Sequence, residues 1–174
     1  MNALRATLLA GSLGALLVAS APDASAQVEL GIHGTLADVR DISPGLGGRV
    51  SFMRPNPRGV SVGVELSGTY YFPSCREIED CSAWGGQAML MGRRSVTANA
   101  QTYLGIGAKY VEATFDDGAG SATGDTWGLE VLIGSTFRPD QRVVPFFEFG
   151  WGFMDSRADI WELTLGLRAS LSGG

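Results

Sequence analysis

Beyond residue 26 the sequence has no apolar run approaching the ~20 residues that a membrane-spanning helix requires. It carries a single histidine and only two cysteines, and little of it reads as helix. Helical membrane proteins, coiled coils and disordered tails are excluded on those grounds. Positive charge is also scarce. Thirteen Lys and Arg stand against eighteen Asp and Glu, a formal net charge of −5, whereas a nucleic-acid binder is normally basic. Neither cysteine lies near the N-terminus, where a lipid-anchored lipoprotein would carry one directly after its signal, so such an anchor is not indicated.

What is present begins with an export signal. Arg5 supplies a positive start, Leu8 to Ser20 an apolar stretch, and Ala24-Ser25-Ala26 an A-x-A cleavage site. Residues 1–26 are therefore expected to be a signal peptide, and residues 27–174 the mature domain. Removing 26 of 174 residues leaves 148, the length of one domain. That remainder holds nearly all of the 25 Gly, together with 8 Phe, 4 Trp and 4 Tyr.

The mature chain divides into eight segments of period two, separated by clusters of Gly, Pro, Asp and Asn. They are predicted over Val28–Val39, Gly45–Met53, Val60–Tyr71, Gln87–Ala98, Gln101–Phe115, Thr126–Phe137, Val143–Phe153 and Ile160–Leu171. The third is the most regular, with Val60, Val62, Val64 and Leu66 opposite Ser61, Gly63, Glu65 and Ser67. Connections near Arg54–Gly59, Asn99 and Arg138–Arg142 are short. Those over Phe72–Gly86 and Asp116–Asp125 are the longest, and fall at the opposite rim with Asp41–Pro44 and Asp155–Ala158. Short turns at one end and longer loops at the other are the asymmetry of an outer-membrane barrel.

One face of these strands is glycine-rich and carries charges of both signs. It includes Glu29, and its candidate network comprises His33, Arg49, Glu65, Arg93, Lys109, Glu130, Glu148, Glu162 and Arg168. In an eight-stranded barrel, which has room inside for side chains but no open channel, these groups are expected to pair and plug the lumen. The other face is almost free of charge. Tyr70, Trp84, Trp127 and Trp161 are expected to form an outer aromatic belt, and Phe52, Phe137 and Phe146 an inner one. A soluble barrel with its apolar face inside and a small apolar ligand is the alternative, but it leaves belts and opposed charges without a role.

A signal peptide, about 148 mature residues, eight amphipathic strands and the final strand from Trp161 to Arg168 resemble the small outer-membrane β-barrel superfamily, typified by OmpX and the OmpA transmembrane domain. The resemblance implies an all-β, eight-stranded antiparallel up-and-down transmembrane barrel. It also implies the lipid bilayer of the cell outer membrane as surroundings, and a structural or interaction role through exposed loops. Members commonly end in an aromatic residue; here the last residues are Leu171-Ser172-Gly173-Gly174.

Chemistry is sparse. Some barrels of this size modify lipids, which is the enzymatic alternative. Such a deacylase would place a His and a Ser two residues apart in a late strand, whereas His33-Gly34-Thr35 lies in the first and lacks the Ser. His33 is instead expected in the lumen, bonded to a carboxylate. Glu148 and Glu162, on adjacent strands, are read as salt-bridge members. No catalytic set is legible, so the chain is read as no enzyme, with no cofactor and no nucleic acid. Asp116-Asp117-Gly118 and Asp125 lack the spacing of an EF-hand and read as a solvated loop. Two cysteines with one distant His make no tetrahedral metal set. In an exported chain the close pair Cys75 and Cys81 is expected to form a disulfide shaping an exposed acidic loop.

Overall fold

The computed structural model describes residues 27–39, 42–54, 59–74, 80–116, 120–155 and 159–171. The expected signal peptide, residues 1–26, lies outside the described residues. Eight strands follow one another: β1 (Gln27–Asp38), β2 (Ile42–Arg54), β3 (Val60–Tyr71), β4 (Asp80–Thr97), β5 (Ala100–Asp116), β6 (Ser121–Phe137), β7 (Val143–Met154) and β8 (Ile160–Ser170). Each pairs antiparallel with the next, and β1 closes the barrel against β8 through a ladder from Glu29↔Ser170 to Ala37↔Glu162.

The fold is all-β, as the alternation predicts, and β3 has the predicted bounds. Other bounds differ for a physical reason. β4 begins at Asp80 rather than Gln87, and β6 at Ser121 rather than Thr126. The upper part of β4–β5–β6 pairs from Asp80↔Asp116 and Asp116↔Ser121 downward, past the point where β3 and β7 end. A transmembrane strand needs only about 9–11 residues, and β4 has 18. The excess stands in water, where no face has to be apolar, so the ladder continues through sequence that carries no period-two signal. Cys81 consequently sits in a strand, not a loop, and β2 begins at Ile42, inside the expected Asp41–Pro44 connection, rather than at Gly45.

The strand period of two fixes which residues share a face. Odd-numbered residues of β1–β5 and even-numbered residues of β6–β8 point inward; the change of parity comes with the β5–β6 hairpin, where Asp116 faces Ser121. The burial pattern is the reverse of a soluble barrel. Arg168 is 1% exposed and Glu65 1%, while Ile32 is 67% exposed and Leu104 58%. Such an apolar outer wall faces lipid, not water, because exposing it to water forfeits roughly 25 cal/mol for each Å². The soluble, ligand-enclosing alternative needs the opposite arrangement.

The belts are mostly where the alternation puts them. Tyr70, Trp84 and Trp127 are about half exposed on the outer wall near the long-strand end, and Phe137 near the short-turn end. Phe146 is a correction: it is 2% exposed and points into the lumen. It has the parity of Glu148, and parity decides the face whatever the nearness of a turn.

Candidate functional site

The inward side chains form two layers of charge. In the lower one, nearer the chain termini, Arg49 Nη1 reaches Glu65 Oε1 at 2.9 Å and Glu148 Oε1 at 2.5 Å. Ser51 donates to the other Glu65 oxygen at 2.6 Å, and Tyr103 to Glu148 at 2.7 Å. Arg168 Nη2 lies 3.2 Å from both Glu65 and Glu148, and its Nη1 3.6 Å from Glu29. Arg93 holds Glu29 through two bonds of 2.7 and 2.8 Å. Aromatic faces complete the layer. The Arg49 guanidinium lies 4.3 Å from the Phe146 ring centroid, and that of Arg168 4.9 Å from Phe146 and 5.0 Å from Tyr103. Charges taken out of water cost several kcal/mol each unless paired and hydrogen-bonded; here the pairing offsets that cost.

In the upper layer Lys109 Nζ stands 2.6 Å from Glu162 and 3.4 Å from Glu130, and Tyr71 donates to Glu162. Glu148 and Glu162 therefore belong to different layers, so the adjacency of their strands does not bring them together as a pair. His33 lies between the layers, with Nε2 2.9 Å from Thr69 Oγ1. Its partner is a hydroxyl, not the expected carboxylate. The ring fits because Gly47 faces it: a Cβ there would run into the imidazole. Thr35, two residues on, donates to the Leu163 carbonyl and accepts from Thr164, so it forms no relay with His33.

Apolar groups also line the lumen. Met53, Met89, Met91, Tyr103 and Leu132 pack as one buried cluster, and Val111, Met154 and Ile160 as another near the outer mouth. At the lower end the remaining hollow has a volume of about 100 Å³, lined by Glu29, Arg93, Arg142 and Arg168 among others. Glu29, Tyr71 and Tyr103 are members of the charge layers that the candidate network leaves out. Their signal was parity alone: each is an odd residue of a strand whose odd residues face inward.

The two rims differ in sign. At the long-strand end the described acids are Asp38, Asp80, Glu112, Asp116, Asp125, Asp155 and Asp159, with no Lys or Arg among the described residues there. The belt ties into this rim: Trp84 Nε1 donates to Glu112 at 3.0 Å, Tyr110 to the same carboxylate at 2.7 Å, and Trp151 Nε1 to Asp159 at 3.3 Å. At the short-turn end stand Arg54, Arg94, Arg138 and Arg142, with Asp140 the one acid among the described residues. Cys75 and Asp117 lie outside the described residues. Cys81 Sγ is 3.3 Å from the Pro73 carbonyl oxygen, and among the described residues there is no free cysteine. No group of three or more His, Cys, Asp or Glu among the described residues is placed to hold a metal.

An eight-stranded closed barrel with charge inside, lipid-facing residues outside and aromatic belts between unequal rims matches solved structures over most of this chain. Ail of Yersinia pestis is 16% identical, with a TM-score of 0.60 over 84% of this chain and 97% of that one. Neisserial surface protein A is 17% identical, with a TM-score of 0.58 over 85% and 99%. The N-terminal barrel domain of Pseudomonas aeruginosa OprF is 10% identical, with a TM-score of 0.68 over 86% and 100%.

The chain has the fold of the small eight-stranded outer-membrane barrels.

No protein-family model matches the chain, and no curated protein matches it. The outer-membrane barrel fold places the lipid bilayer against the wall carrying Ile32, Leu104 and Val131.

Proposed function

We propose that this barrel is exported by a signal peptide over residues 1–26, acts in the outer membrane without catalysis, and works through its outer rim on a cationic partner. The observation that carries this reading is the single sign of the described charges on that rim, raised on the extended β4–β5–β6 strands. By sequence the segments between add Asp41, Glu77, Glu79 and Asp117 against Arg40, Arg76 and Arg157. A rim of one sign raises the encounter rate with oppositely charged partners and disfavours like-charged ones. A Cys75–Cys81 disulfide would shape the acidic loop beside β4, and the lack of a free cysteine among the described residues supports it. A plugged lumen is part of the same reading. It is supported by the two charge layers, the apolar cluster at the outer mouth and the small hollow at the lower end.

A comparison sharpens the partner's sign. Ail has been solved in complex with the heparin analogue sucrose octasulfate, a polyanion. An acidic rim repels such a ligand, so a partner of this rim would carry the opposite charge. Barrel reconstituted in zwitterionic bilayers should bind an immobilised cationic peptide, release it at high salt, and ignore heparin. Binding to heparin, or equal binding to both, would reverse the proposal. Planar-bilayer recordings test the plug: large, steady single-channel conductance would mean an open pore.

A further inference from the structure

A hollow of about 1020 Å³ lies not in the lumen but on the lipid-facing wall, over β3, β4 and β5. Its floor is Gly92, an outward residue of β4 that faces Val62 on β3 and Leu104 on β5. Around that floor stand mostly apolar side chains, among them Phe52, Val62, Leu90, Leu104 and Ile106. Gly92 leaves that floor open: a Cβ at that position would meet nothing within 4 Å.

At its lower end the hollow stops at Arg54 and Arg94. Both are exposed, and among the described residues neither guanidinium has an ion-pair or hydrogen-bond partner. They stand at the short-turn rim, where the barrel leaves the hydrocarbon. From Arg94 to Leu90 the strand runs about 13 Å at ~3.3 Å per residue, or about 10 Å along the bilayer normal at the ~40° tilt of such strands, which lies within the ~15 Å of one leaflet's hydrocarbon. An apolar trough contained in one leaflet, headed by two unpaired cations at the lipid–water boundary, has the charge order of a single anionic phospholipid.

We propose that the Gly92 trough is a binding site for one anionic phospholipid, an acyl chain lying over Gly92 and its phosphate bridged by Arg54 and Arg94. Short turns face the periplasm in barrels of this type, so the site opens to the inner, phospholipid leaflet. Arg is suited to the task, since its planar fork donates two hydrogen bonds to phosphate oxygens. The occupant is a lipid rather than a second copy of this chain, because another copy would bring its own Arg54 and Arg94 to the same level and leave four like charges facing one another.

Native mass spectrometry of the intact barrel, released from micelles holding equal phosphatidylglycerol and phosphatidylethanolamine, tests this. One retained phosphatidylglycerol is expected, at roughly twenty-five-fold preference, since each of the two Arg near the surface contributes about fivefold toward an anionic lipid. Arg54→Gln with Arg94→Gln should abolish the preference and keep the chain-sized adduct. Gly92→Leu should fill the trough and remove the adduct with either lipid. Because nothing occupies the space around Gly92, that variant should still fold and keep its heat-modifiable gel mobility. Equal retention of the two lipids by the wild type, an unchanged adduct in Gly92→Leu, or a protein dimer in place of the lipid adduct would each overturn the proposal.

Discussion

Arg93 holds Glu29 with both arms of its guanidinium, Nη1 to Oε1 at 2.7 Å and Nη2 to Oε2 at 2.8 Å, on side chains less than a tenth exposed. The pair ties β4 to β1 across the barrel rather than along a neighbouring ladder. Arg168, 3.6 Å from the same carboxylate, joins it to the cluster of Glu65, Arg49 and Glu148. The lower lumen is thus cross-braced by charge.

Breaking that brace from one side leaves an uncompensated buried charge. Arg93→Ala should destabilise the barrel by about 3–5 kcal/mol. Replacing both partners by apolar residues of similar volume, Arg93→Met with Glu29→Leu, should recover much of the loss, because the desolvation cost of both ions then disappears. Reversible urea unfolding in lipid, read by gel mobility, measures both. A double variant as unstable as Arg93→Ala would mean that the pair contributes more than its desolvation costs.

Depth in the bilayer gives a second test. Val131 lies outward on β6 between Ile106 and Trp151, midway between Trp127 of the outer belt and Phe137 of the inner one. Val131→Arg should cost about 2–4 kcal/mol, and Val143→Arg, at the rim end of β7, about 0–1 kcal/mol. Equal costs at the two positions would place the membrane elsewhere on the wall.

How much of this was legible before folding depends on where water lies. Within the membrane each outward residue must be apolar, so β3 and the lower parts of β5 to β8 announce themselves by alternation, and so do eight of the charged lumen residues together with His33. Above the belt that constraint vanishes, and Asp80–Gly86 and Ser121–Asp125 read as loop although they continue the ladder. Pairing partners were a second blind spot. Strand order brings neighbours together, but Tyr71 meets Glu162 and Arg93 meets Glu29 across the barrel, through contacts no local pattern encodes. His33 found Thr69 for the same reason.

The lumen holds large apolar and aromatic side chains as well as charges, which gives a third test. A Cβ on Gly134 would strike the ring and hydroxyl of Tyr103, which carries a bond to Glu148, whereas a Cβ on Gly92 would meet nothing. Gly134→Ala should therefore cost about 1–3 kcal/mol through overpacking. Gly92→Ala should be neutral or slightly stabilising, since Gly weakens a strand interior. The same urea series checks both. Similar values for the two would mean that Tyr103 moves aside without loss, and the bond from Tyr103 to Glu148 would then count for little.

The disulfide proposed for Cys75 and Cys81 should govern a loop and not the fold. Only five residues separate the two cysteines in sequence, and the entropy a crosslink removes from the unfolded chain grows with the loop it closes. A loop this short should contribute no more than about 2–3 kcal/mol. The barrel is closed independently by the β1–β8 ladder. Cys81 lies in the raised part of β4 and pairs with Phe115 on β5, above Trp84 and its partner Glu112. Reduction should thus free the acidic segment Arg76–Asp80 for proteolysis and weaken binding of a cationic peptide, while heat-modifiable mobility stays unchanged. Peptide mapping of non-reduced, exported protein checks the bond itself, and two free thiols there would remove it. Loss of barrel mobility on reduction would instead give the crosslink a hold on the whole fold that its short ring does not account for.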